Sequence, residues 1–499
     1  MQTSVLLLLS VAVFPMGALM GLLLPPLLGT LGRKMNEDED PRVAAAWMTM
    51  AISGVGLVLA IIVARRAGQA EVVQVMVGGW GLFVGDAMGP IGVALVSALG
   101  VLAGAAMLPQ LPGERPPFAS VMLACGLGAT SFLAVDPRQA ILCLGLMIVA
   151  LGFALGRGSE LREARRSGWL FVAACVPGFI LMAWAVLTTA GRAGMPDMQL
   201  IRELVAGEIA ANVAAIRVLT VGYGLLLALP LLPFLAPDLL SRRPMGATVA
   251  AYGIGAAAVS WLFARCAFQL FPYGEGWDLA RRGWVIPALA LPSAGLMVSA
   301  CVARAPSSMV SLALAGQGLW VPLGFATGGR ADAGFGIGIA LSMAIPFGRA
   351  AILAVTSASR EVAPRRSEPL VAGLHKGAGV VAALALAVAA LRLPWPFHGV
   401  WRWVALALLA LPAVYLGYRV ARFSLAERSR RGRLYAIIGA ASALVALVAA
   451  VPTPLTAAVA RTAERDLGLH KRFLVGPGGM PPPVNAPGAV RPGPGGSAE

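Results

Sequence analysis

Little in this chain could do covalent chemistry. Cys125, Cys143, Cys175, Cys266 and Cys301 all fall inside apolar runs, without metal-ligand spacing or a plausible disulfide partner. His375, His398 and His470 form no metal cluster, and no phosphate-cradling glycine loop, nucleophile elbow or CxxC pair occurs. The residues that could act are charged groups set among apolar ones. Arg349 lies within ALSMAIPFGRAAILAV. A mid-bilayer arginine costs about 3 kcal/mol or more on insertion scales, so it is expected to face a protein interior. Its guanidinium stays protonated and cannot relay protons by losing one. It could hold waters, pair with a distant carboxylate, seal a path as a fixed charge, or bond carbonyls in a purely structural role. Lysine is the better proton carrier, because burial lowers its pKa toward neutrality. The chain has only Lys34, Lys376 and Lys471, and of these only Lys376, beside His375, could enter an apolar run. An interfacial snorkelling role is the alternative for that pair.

The elements that must position these groups are membrane spans. The 499 residues are 58% hydrophobic and 12% charged, with mean hydropathy +0.80. Apolar runs of about 20 residues recur between short charged loops, each long enough to cross the hydrocarbon. The expected fold is an all-α polytopic membrane protein of about 14 spans: 5–31, 44–64, 88–108, 118–135, 139–156, 168–190, 214–236, 246–270, 284–302, 309–327, 334–356, 370–391 with a continuation to about 403, 404–423 and 434–451. The first run is too long for a signal h-region and lacks a basic flank. With the N-terminus outside, the cytoplasmic loops carry about twice as many basic residues as the opposite ones, which favours both termini outside a bacterial-type inner membrane. This bias also accounts for the net charge of +16 without invoking nucleic acid. The segment Asp197–Arg217 is amphipathic and expected at the outer surface. Residues 452–499 are polar and rich in Pro and Gly, a composition that reads as a disordered tail.

The stretch Val221–Arg265 reads as an apolar helix interrupted by Pro230 and Pro233, a polar turn from Asp238 to Pro244, and a second helix. Proline removes a donor and frees carbonyls that lipid cannot satisfy, so the break must lie in protein or line a wet cavity. Its prolines resemble the VPFHxWLPDAYxxAPTPVSAxL region of the antiporter-like subunits of respiratory complex I and of multi-subunit sodium/proton antiporters. Further stretches resemble the same family in order. Gly78-Gly79-Trp80 followed by Asp86 is similar to its GGW and aspartate. The region around Asp136 and Leu144–Ile148 is similar to LASAxDLLxLFLxLELLSLxLY. SSMVSLALAGQGLWVPLG resembles KRLLAYSSISQMGYVLLG, with Gln317 at the polar position. Leu393-Pro394, Pro396-Phe397 and Gly399 match a second proline break, with Arg402 beside the expected lysine position, Trp403.

The resemblance implies broken helices near spans seven and twelve and two inverted repeats, about 118–270 and about 284–423, between entry spans one to three and a last span at 434–451. It also shows what this chain lacks. The family's glutamate would fall at Met147 (or Gly145), and no acidic residue lies between Asp136 and Glu160. The lysine before the first break is missing from Gly222–Leu229, and Ala257 stands where relatives carry His or Lys. Arg349 falls on a family lysine. The expected function is therefore a membrane subunit of an energy-converting complex of the NADH:quinone oxidoreductase, hydrogenase or Mrp kind, conducting protons or cations weakly or not at all. The partners implied are the lipid bilayer and other membrane subunits, and no cofactor, metal or catalytic site is implied. Alternatives are a structural anchor that recruits a soluble enzyme, and an autonomous small-solute transporter with Asp86, Asp136 and Arg349 around a cavity.

Overall fold

A computed structural model describes residues 3–31, 41–67, 73–76, 82–85, 88–108, 117–157, 162–194, 198–205, 207–235, 245–271, 285–326, 331–358, 369–392, 403–404, 406–421 and 430–451. Each of the fourteen expected spans is met by a helix. In chain order they are Thr3–Leu31, Pro41–Ala67, Met88–Met107, Phe118–Leu133, Pro137–Arg157, Arg162–Ala193, Ile209–Ala228, Met245–Gln269, Val285–Val302, Pro306–Ala326, Ala331–Ala358, Pro369–Arg392, Leu406–Ala421 and Arg430–Ala450. Ten are long and apolar enough to cross a membrane, and four shorter apolar helices occupy the remaining positions. The protein is a multi-pass helical membrane protein.

The spans sort by enclosure. The apolar windows of spans eight and eleven are 100% buried, against 33% for spans one, two and nine. Spans eight and eleven therefore form the middle of the bundle. The outer spans turn large apolar side chains such as Leu19, Ile61, Ile180 and Leu291 outward, as a lipid-facing surface requires. Span six packs along span seven, and spans eleven and twelve both pack on span fourteen. Spans six and seven approach through glycines: a Cβ on Gly178 would stand 2.6 Å from the Gly222 carbonyl oxygen, and one on Gly222 would stand 2.8 Å from the Met182 nitrogen. Without a hydrophobic drive between helices in lipid, such close backbone contact is a main source of cohesion.

Two features differ from the sequence expectation. The segment between spans two and three contains a short antiparallel hairpin, Val73–Met76 paired with Leu82–Gly85 in the register Val73↔Gly85 to Met76↔Leu82. Valines and aromatic neighbours flanking a Gly-Gly pair favour strand pairing; Gly78-Gly79-Trp80 and Asp86 lie outside the described residues. The segment 197–217 is also not one surface helix. It divides into Met198–Leu204 and the first turns of span seven, which begins at Ile209. Asn212 donates its side-chain amide to the Val205 carbonyl (2.7 Å) and Arg192 pairs with Glu208, which fix the turn between them. Met198 and Ile201 are buried, so this short helix is packed against the bundle rather than merely solvated.

Candidate functional site

Span seven ends where Pro230 predicts. Its α-helix stops at Ala228 and tightens into a 3₁₀ turn over Leu229–Leu231. Pro230 has no N–H to give to Leu226, and the last carbonyls of any helix lack partners within it. Three different spans supply the missing donors. Arg349, on span eleven, donates through Nη2 to the Leu227 carbonyl (3.2 Å) and to the Leu314 carbonyl of span ten (2.9 Å). Tyr252, on span eight, donates its hydroxyl to the Pro230 carbonyl (3.4 Å). Ser311, on span ten, donates to the Leu231 carbonyl. The break is thus enclosed in protein, as a break at membrane depth must be.

Local backbone features bring these donors into place. After a first α-helical turn, Met245–Val249, span eight passes through a π turn at Ala250–Ile254 that contains Tyr252, and a wider turn of this kind re-aims the side chains it carries. The Tyr252 ring stacks edge-on against Phe171 at 5.7 Å. Span ten is interrupted at Leu319, between Pro306–Gly318 and Trp320–Ala326. At that interruption Gly318 lets the arginine in: a Cβ there would lie 2.6 Å from Arg349 Nη2 and 2.9 Å from Leu227 Cβ. Ser293 of span nine donates to the Gly316 carbonyl (2.9 Å) and accepts from Trp320 Nε1 (3.0 Å), clamping both sides of the interruption. One turn before the span-seven break, Tyr223 and Ser260 share a hydrogen bond of 2.8 Å beneath Phe263.

A small cavity adjoins the break. It offers about 20 Å³ to the centre of a water molecule, room for one ordered water or an ion of similar size. Its lining includes Arg349, Tyr252, Pro230, Leu231, Met147, Phe171 and Cys175. Arg349 is 2% exposed, and its Nε has no hydrogen-bond partner among the described residues. No carboxylate among those residues pairs with it.

The other sequence-derived candidates scatter. Gln317 is 1% exposed, with neither end of its amide hydrogen-bonded among the described residues, and it directly precedes Gly318. Asp136 accepts from the Arg138 backbone N–H (2.8 Å) at the start of span five, the geometry of a helix N-cap. Pro233 lies in the turn after the 3₁₀ segment, half-buried. His375 and Lys376 fall on the first turns of span twelve, and their side chains are outside the described residues, as are Pro394, Pro396 and Arg402 entirely. Met147, where the family resemblance puts a glutamate, lies on the same cavity as Arg349. Sequence reasoning passed over Tyr252, Ser311 and the buried Arg265, whose Nε donates to Gln269 Oε1 (2.7 Å). An arginine inside an apolar run was the available signal for Arg265. Nothing in the sequence marks a tyrosine or serine as the partner of a particular carbonyl.

No family model matches the sequence, and no curated protein does. The fold does have solved counterparts. A chain of the Mrp complex from a Dietzia species is similar with a TM-score of 0.69 at 16% identity, covering 93% of this chain and 99% of that one. A chain of the membrane-bound sulfane sulfur reductase, an archaeal respiratory membrane complex, gives 0.69 at 15% identity, covering 92% and 97%. A chain of respiratory complex I from Thermus thermophilus gives 0.65 at 17% identity, covering 94% and 99%. The class is thus defined: a polytopic helical membrane protein with the fold of chains found in these complexes over nearly its whole length.

Proposed function

We propose that this protein is an antiporter-like membrane subunit of an energy-converting complex, keeping the scaffold of a cation-translocating module but conducting protons or sodium weakly or not at all. The observation that carries the proposal is the break of span seven. Arg349, a group that keeps its charge, is tied to two carbonyls there, and the thioether of Met147 lines the same cavity where a carboxylate would be needed. A cation entering that region meets a fixed positive charge in a low dielectric, where repulsion is strong. The two-repeat organisation is supported by a π turn in span thirteen, Leu406–Ala410, as in span eight, Ala250–Ile254. In the proposed division each closes its repeat and follows the span carrying a proline break.

The partners are other membrane subunits, held in a bacterial-type inner membrane with both termini outside. The test is gentle extraction of the tagged protein, identification of what co-purifies, and proton and sodium flux in vesicles containing the recovered assembly. Redox or antiporter subunits should be recovered, and the purified chain alone should leave vesicles about as tight as protein-free ones. Recovery of the chain alone as a monodisperse species that carries robust cation flux would overturn the reading.

A further inference from the structure

We propose that the start of span six is a binding site for an anionic phospholipid, its phosphate on Arg165 and Arg166 and an acyl chain along Phe153 and Trp169. Both arginines are exposed, and neither has an ion-pair or hydrogen-bond partner among the described residues. Other arginines are engaged elsewhere: Arg192 pairs with Glu208, Arg419 donates to the Cys301 and Ala303 carbonyls, and Arg349 is buried at the break. Arg165 also opens the apolar stretch of span six, Arg165–Ala193, which puts the pair at the edge of the hydrocarbon. The span begins at Arg162, so its partly positive N-terminal end adds to the same field.

Trp169 follows Arg166 by three residues and Arg165 by four, the spacing that sets side chains above one another on a helix. It is 64% exposed and meets Phe153 of span five, itself 46% exposed, with ring centroids 6.2 Å apart. Glycines hold the two spans together beside this pair: a Cβ on Gly168 would stand 2.3 Å from the Gly152 carbonyl oxygen. Beyond Trp169 the outward face of span six continues through Ala173, Val176 and Ile180 toward the bilayer centre. A free phosphate would meet the charges and leave the aromatic pair uncovered. A zwitterionic lipid would bring a cation beside two more. An anionic phospholipid meets both the charge and the apolar face, and the donor fork of arginine matches phosphate oxygens. The proposal depends neither on the subunit role nor on the orientation of the chain.

The experiment titrates the delipidated full chain in mild detergent with phosphatidylglycerol or phosphatidylcholine of matched acyl chains, and counts retained lipids by native mass spectrometry. Phosphatidylglycerol should bind as one saturable molecule at concentrations roughly 30-fold below phosphatidylcholine, the advantage expected of two arginines at a membrane surface. The double change Arg165→Gln and Arg166→Gln should erase that preference. Trp169→Ala should weaken both lipids and keep it. Arg304→Gln, an exposed arginine after span nine, should leave retention unchanged. Equal retention of the two lipids would overturn the proposal, as would a preference that survives the double change or falls as far in Arg304→Gln. Displacement of phosphatidylglycerol by inorganic phosphate would overturn it too, assigning the arginines to a free anion. So would loss of a co-purifying membrane subunit from the double variant at unchanged lipid retention, which would make the patch a protein contact.

Discussion

Arg349 and Gly318 act as one unit at the residue scale. The guanidinium reaches Leu227 and Leu314 only because position 318 has no side chain. In Gly318→Ala, a methyl group would have to displace Nη2 and press on Leu227, the kind of overpacking that costs about 1–3 kcal/mol. Thermal unfolding in nanodiscs should show that loss. Unchanged stability would mean the arginine has another comfortable position. The cavity offers a second test. Met147→Glu would bring a carboxylate to the space that Arg349 lines. It should be tolerated with Arg349 present and strongly destabilising in Arg349→Met, where the buried carboxyl loses its partner. A double-mutant cycle should give a favourable coupling of about 0.5–3 kcal/mol. Additive effects would place the two side chains out of reach of each other.

At the scale of elements, the important fact is that a proline break in one span is repaired by donors from three others. Tyr252, Ser311 and Arg349 come from spans eight, ten and eleven, and each satisfies a different carbonyl. Pro230→Ala would return an N–H able to bond Leu226 and let span seven continue as an α-helix past Ala228. Amide exchange over residues 225–232 should slow in this variant, because new intrahelical bonds protect that stretch. Faster or unchanged exchange would show that the surrounding donors, not the proline, hold the 3₁₀ turn. The position of the break was legible from Pro230 and Pro233 alone. The repair was not, since serine and tyrosine recur throughout the chain, and only packing selects which of them meet a carbonyl.

For the whole molecule, the proposed orientation rests on the basic residues of alternate loops. In the proposed topology Ser159→Cys and Ser497→Cys would place cysteines on opposite sides, and the five native cysteines lie within or at the ends of apolar helices. A membrane-impermeant maleimide applied to intact cells should label the second and spare the first until the membrane is opened. The reverse pattern would invert the proposed topology.

The sequence by itself determined that the chain crosses the membrane about fourteen times, that span seven is broken near Pro230, and that Arg349 must face protein. Each of these rests on the local cost of placing a polar group in hydrocarbon, which a linear pattern of residues reveals. Tertiary structure alone decided that spans eight and eleven form the centre, and that the 197–217 segment divides and packs. It alone also brought Met147 and Arg349 to one cavity and recruited Tyr252, Ser311 and Gly318 to the break. Among uniformly apolar helices, periodicity does not say which faces meet. That choice depends on close packing of glycines and on pairing each buried donor with a carbonyl, both of which are long-range in sequence.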